Sequence, residues 1–99
     1  MTRAIPQFRL VPEPLTEEAR ALPGFKWASD EAGTRHRLGG TPEFLQKDEP
    51  PQCPDCKEQM TFYAQLDSIN DEFCLADVGL LYVFVCFQCS TTASFIHST

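Results

Sequence analysis

Two C-x2-C pairs, Cys53-Pro54-Asp55-Cys56 and Cys86-Phe87-Gln88-Cys89, stand 29 residues apart in a chain of 99. Two residues between cysteines make a tight knuckle that aims both sulfurs at one ion and leaves backbone N–H groups free to bond the thiolates. Two knuckles complete a tetrahedron, so Cys53, Cys56, Cys86 and Cys89 are the expected ligands of one structural Zn²⁺. The separation exceeds the usual 15 to 20 residues, and two strands with their connecting loop account for the excess. A closed four-cysteine site leaves no position for substrate, which argues against an enzyme. The alternatives are iron in the same four-sulfur geometry, a thioredoxin-type redox pair and four unrelated buried cysteines. The redox reading needs Cys56 to open a helix, whereas a strand pattern follows it.

Chain length makes such a clip valuable. A fold of this size buries only roughly 60 to 65% of the surface of its unfolded chain, a marginal core. Metal binding worth on the order of 10 kcal/mol can decide whether it folds. The fifth cysteine, Cys74, lies between Phe73 and Leu75 and reads as a small core residue. Its alternative is a reactive thiol, but nothing in the sequence brings it to His97 or supplies an oxyanion hole. His36 and His97 are weaker metal ligands than the four spaced thiolates. Asp71, Glu72 and Asp77 read as solvated loop carboxylates rather than an acid/base set.

Hydrophobic periodicity places the knuckles on strands. Met60, Phe62, Ala64 and Leu66 alternate with Thr61, Tyr63, Gln65 and Asp67, which predicts a strand that buries the first set and exposes the second. Leu80 to Cys86 is β-branched and aromatic on both faces, as a central strand is. Thr91 to His97 alternates again and can pair back on it, with the second knuckle at the hairpin. The expected fold is mainly β (small α+β): an antiparallel meander of about three strands, zinc-stabilised, over residues 36–99. Residues 1–35 are expected to be an irregular, Pro-rich segment with one short helix. Pro14 starts that helix, Glu17, Glu18 and Arg20 suit its dipole, and Pro23-Gly24 stops it after about two turns, packed through Leu15, Ala19 and Leu22. Leu38-Gly39-Gly40-Thr41-Pro42 reads as a turn, and lacks the pattern of a phosphate loop.

Charge narrows the partner. The formal net charge is −6, split −1 over residues 1–49 and −5 over residues 50–99, where Lys57 faces six carboxylates. With four thiolates and one Zn²⁺ the second half reaches about −7. Such a surface repels phosphate backbones, so nucleic acid is disfavoured and a protein partner, attractive if basic, is expected. The zinc-ribbon nucleic-acid module is the alternative reading, with Tyr82 and Phe87 as stacking surfaces. Met1 to Pro6 begins no apolar stretch of signal-peptide length, and the Val78 to Phe87 run is too short to span a bilayer. A cytoplasmic protein is expected, in which cysteines serve as ligands rather than disulfides. The oligomeric state is open.

Four stretches then resemble a family: Arg37-Leu38-Gly39-Gly40-Thr41-Pro42-Glu43-Phe44-Leu45-Gln46; Cys53 to Cys56; Met60-Thr61-Phe62-Tyr63-Ala64-Gln65-Leu66-Asp67-Ser68; and Asp77 to Cys86 with Cys89. Together they resemble the bacterial YwqG-like proteins of unknown function. More distantly they are similar to the programmed-cell-death-protein-two family, which also combines a GG-x-P-x-aromatic segment with cysteine pairs and a Tyr-x-Phe-x-Cys strand. The resemblance covers about residues 36 to 97. Phe44 stands where the family has tryptophan, and Lys57 where a knuckle often has glycine. The resemblance implies a compact β-rich domain, zinc in its cysteine-bearing members, and no assigned reaction. The combined expectation is a non-enzymatic zinc-binding β domain that acts through protein–protein interaction, one version being an acidic immunity or regulatory partner.

Overall fold

The computed structural model describes residues 4–25 and 31–98. Met1 to Arg3, read above for a leader, lie outside the described residues, as do residues 26–30 of the N-terminal segment. The architecture is one five-stranded antiparallel sheet in which every strand pairs with its neighbour in sequence. Three seven-residue strands form its body: β3 (Thr61–Asp67), β4 (Leu80–Cys86) and β5 (Thr91–His97). Two strands of two residues extend it, β1 (Phe8–Arg9) and β2 (Arg37–Leu38). They are additional to the three that the periodicity predicts, because two residues are too few to carry a period. Backbone pairing of β2 to β3, and of β1 to β2, defines them instead.

Among the described residues there is one helix, α1 (Glu17–Arg20), which is shorter than expected. Thr16 caps it, its hydroxyl accepting the Ala19 N–H at 3.1 Å. Pro14 therefore lies outside the helix. Pro23 disfavours helical geometry at Leu22, so the element closes after one turn. Leu15, expected to pack, is 86% exposed.

One face of β4 carries the core. Leu80, Tyr82, Phe84 and Cys86 are buried, and Met60, Phe62 and Cys53 join them. Phe44 lies across this face, its ring centroid 5.1 Å from Tyr82, 6.3 Å from Phe84 and 6.2 Å from Phe95. The Tyr82 hydroxyl donates to the Glu43 carbonyl at 2.7 Å and accepts from the Leu45 N–H at 3.1 Å, fixing the strap on either side of that ring. A buried tyrosine needs such partners, and these are backbone groups that would otherwise be orphaned.

In β3 Met60, Phe62 and Ala64 are buried and Tyr63 is exposed as predicted, but Thr61, expected at the surface, is buried at 6% exposure, and beyond Ala64 the expected faces are exchanged. Phe62 pairs with Phe84 but Ala64 pairs with Val83, so Tyr63 is an extra residue, a β-bulge. One inserted residue exchanges the two faces of the rest of the strand. Gln65 and Asp67, expected at the surface, turn inward opposite Tyr82 and Leu80, and Gln65 is 0% exposed. Leu66, expected inside, is turned out at 39% exposure. The bulge carbonyl is satisfied from the residue that follows β2, accepting the Gly39 N–H at 2.8 Å.

The inward polar residues are fully partnered. Gln65 Oε1 accepts the Glu43 N–H at 3.1 Å and its Nε2 donates to the Arg35 carbonyl at 2.9 Å. Asp67 receives Arg35 Nε and Nη2, each at 2.7 Å, in a two-point pair. It also accepts the backbone N–H groups of Gly33, Arg35 and Ser68. Burial alone would raise the Asp67 pKa; the Arg35 guanidinium and these N–H donors outweigh it and hold the carboxyl below its ordinary value. Thus residues 33–35 and β1, both N-terminal to residue 36, are joined to the sheet.

Candidate metal centre

Both knuckles are hairpin tips at the same end of the sheet. The first crowns a small hairpin whose legs meet at the Gln52–Gln59 bridge, closed by Cys53 N–H to Glu58 O at 2.8 Å and Met60 N–H to Pro51 O at 2.8 Å. It leads directly into β3. The second is the β4–β5 turn, since β4 ends at Cys86 and β5 starts at Thr91. Because β3 and β4 are antiparallel neighbours, the start of one meets the end of the other, and two knuckles far apart in sequence converge.

The sulfurs of Cys53, Cys56, Cys86 and Cys89 all lie within 4.8 Å of one another. Cys56 Sγ and Cys86 Sγ are 3.7 Å apart and all five cysteines are free thiols. Four sulfurs each about 2.3 Å from one ion at tetrahedral angles are separated by about 3.8 Å. The cluster therefore fits a single four-coordinate metal. Cys53 and Cys86 are buried and all four border the aromatic core, so the site seals one end of the sheet.

The residue after each knuckle has left-handed backbone: Lys57 at φ 66° and Ser90 at φ 56°. This is the conformation that a glycine adopts without cost. Lys57, where the resemblance expects glycine, takes the glycine geometry anyway, with Nζ donating to the Pro54 carbonyl at 2.9 Å and its N–H to the Cys53 carbonyl at 2.9 Å. The two knuckles thus share one local shape.

Their electrostatics are those of crowded thiols. The Cys56 N–H draws the Cys53 thiol down to about 6 against the effect of burial, helped by the Asp55 N–H and the neighbouring sulfurs. Cys56 gains a lowering contact from the Glu58 N–H, but burial and the thiols of Cys86 and Cys53 carry it upward. Burial, then the sulfurs of Cys56, Cys53 and Cys86, push Cys89 up to about 12. One thiolate forms readily and the next is repelled by it. A bound dication reverses that repulsion and favours deprotonation of its thiol ligands.

The remaining candidates stand apart from this cluster. His36 Nδ1 accepts the Asp67 N–H at 3.1 Å. His97 Nε2 meets Asp48 Oδ2 at 2.9 Å inside the aromatic group of Phe44, Tyr82 and Phe95. Cys74 Sγ accepts the Val78 N–H at 3.0 Å, holding a loop in which Val78 has φ 54°. Sequence reasoning missed the buried group of Arg35, Gln65, Asp67 and Tyr82. The signal available was Gln65 and Asp67 at the same spacing as Tyr82 and Leu80, which means something only once the bulge is known.

Over 66 residues the chain is 39% identical to an uncharacterized protein, YpfL, of Salmonella typhimurium, a match that takes in 67% of this chain and 16% of that protein. The chain thus corresponds to about a sixth of that relative's length. No protein-family model matches it, and no solved structure does.

Proposed function

We propose that this chain is a non-enzymatic zinc-binding β domain that works by holding another protein. The observation that carries the reading is the convergence of four sulfurs within 4.8 Å, which uses all four positions of a tetrahedral ion. Zinc is preferred over iron because it needs no redox partner and suits a site that pins two hairpins together. Asp55 and Glu58, exposed on the first knuckle, add negative charge beside the cluster, and Lys57, the one cation of residues 50–99, turns its ammonium to a backbone carbonyl. Such a surface favours a basic protein partner over nucleic acid. Membership of the YwqG-like proteins belongs to the same reading, and similarity to a sixth of a longer relative suits a module that also occurs inside larger chains.

Metal analysis of the purified protein tests the first half of this reading. We expect about one zinc per chain and an X-ray absorption spectrum of four sulfurs; an oxygen or nitrogen ligand would reopen enzymatic chemistry. Affinity capture from the native host tests the second half. A specific basic partner released by moderate salt is expected, whereas binding to single-stranded DNA or RNA with a steep salt dependence would replace the protein reading.

A further inference from the structure

We infer that the open side of β2, with Gly39 and Gly40, is a receptor groove for an extended peptide, and that residues 5–10 occupy it here as a tethered ligand. The inference rests on the protein-binding reading above and gives it a second, chemically different surface, one that recognises backbone rather than charge.

The groove is built for a close-lying chain. Gly39 and Gly40 have φ values of 71° and 78°, and each is pressed against the N-terminal segment. A Cβ on Gly39 would come within 2.6 Å of Ile5 Cγ2 and 2.7 Å of the Ile5 carbonyl oxygen, and one on Gly40 within 2.7 Å of Gln7 Oε1. The Gly40 N–H donates to the Ile5 carbonyl at 2.7 Å, Phe8 and Arg9 pair with Leu38 and Arg37, and the Leu10 N–H reaches the His36 carbonyl at 3.4 Å. On its other side the same stretch is fixed to the sheet, with Gly39 N–H on the bulge carbonyl of Tyr63 and β2 paired to β3. The receptor is thus rigid where it meets the peptide.

The occupant, by contrast, is held lightly. Pro6, Gln7, Phe8 and Arg9 are exposed, and only Ile5 and Leu10 are half-buried. Residues 11–18, which follow it, are all exposed. Strand addition of this kind takes affinity from main-chain bonds and selectivity from a few side-chain positions. The fitting ligand is therefore a strand from a partner protein with an aliphatic-proline pair, as in Ile5-Pro6, and a second aliphatic residue at the position of Leu10. Covalent linkage gives the chain's own segment a high effective concentration, so an outside strand binds only by out-competing it.

The test uses the full chain carrying I5D and L10D, which disables the tethered ligand, and a fluorescent synthetic peptide of residues 4–11. We expect saturable binding to this variant and at least about tenfold weaker binding to the native chain, where the tethered copy competes. A peptide with aspartate at both aliphatic positions should not bind. Absence of saturable binding up to about 1 mM peptide, or equal binding by the native chain, overturns the inference. Should the variant lose its fold, hydrogen exchange on the native chain decides. The Gly40 and Leu10 amides should exchange at least about tenfold faster than the paired amides of β4, and equal protection would mean a permanent strand. Neither readout depends on the zinc content or on the acidic surface, so failure here is separable from failure of the proposed function.

Discussion

Removing the Arg35 side chain should expose how far a single buried ion pair holds the N-terminal segment to the sheet. Asp67 receives five hydrogen bonds, two from the Arg35 guanidinium and three from the backbone N–H groups of Gly33, Arg35 and Ser68. Arg35→Ala removes two and leaves three, so the carboxylate is weakened but not stranded. Its cost should lie near the low end for a broken buried pair, about 3 kcal/mol. Asp67→Ala is worse, because it strands three backbone donors and leaves the guanidinium with the Val78 carbonyl at 3.1 Å. About 5 kcal/mol is expected there, a large part of the roughly 5 to 15 kcal/mol available to a domain of this size. In urea, with a slope of roughly 1 to 1.5 kcal/mol/M, Arg35→Ala should lower the midpoint by roughly 2 to 3 M at equal metal content. Since the folded pKa of Asp67 lies below its ordinary value, the pair's stabilisation is complete above the ordinary carboxylate pKa. It is lost as pH falls through the depressed folded value. The native protein should therefore lose stability on acidification over that window, and Arg35→Ala should flatten the acid limb. A cost under about 1 kcal/mol for Arg35→Ala, or a larger cost for it than for Asp67→Ala, would refute this account of the network.

Three further outcomes follow from the same contacts. Cys86→Ser should abolish stoichiometric zinc and most of the near-ultraviolet circular dichroism, and a metal-free protein that stays fully folded would remove the metal from the account of stability. Tyr82→Phe strands the Glu43 carbonyl and the Leu45 N–H beneath Phe44, so a loss of about 1 to 3 kcal/mol is expected by chemical denaturation, with no change in metal content. Ser90→Gly should raise stability by about 1 kcal/mol by relieving left-handed backbone at φ 56°, read as a higher thermal midpoint; destabilisation would mean that the Ser90 side chain makes a contact worth more than the strain.

The elements legible from the sequence are those governed by local rules. The cysteine spacing marks both knuckles, and an uninterrupted period of two marks β5 at its observed bounds, Thr91–His97. The boundary of β4 at Cys86 is readable because a knuckle must turn the chain there. Where the residues failed as a guide, a nonlocal contact had intervened. Leu66 looks like a core residue and Asp67 like a carboxylate on the exposed face of the strand until Tyr63 is inserted between paired positions. Leu15 looks like a helix anchor if Pro14 starts the helix, but Thr16 is the cap and leaves Leu15 outside α1.

The sequence by itself determined the chemistry of the cysteine cluster and the three long strands that carry it, because ligand spacing and side-chain alternation are properties of consecutive residues. Tertiary structure alone decided which face of β3 looks inward past residue 63, that Arg35 crosses 32 positions to meet Asp67, and that residues 5–10 lie against Gly39 and Gly40. The reason is the same in each case. A one-residue bulge leaves no trace in composition yet reverses every later side chain, and a buried carboxylate is stable only where a distant cation and several backbone donors are delivered to it together.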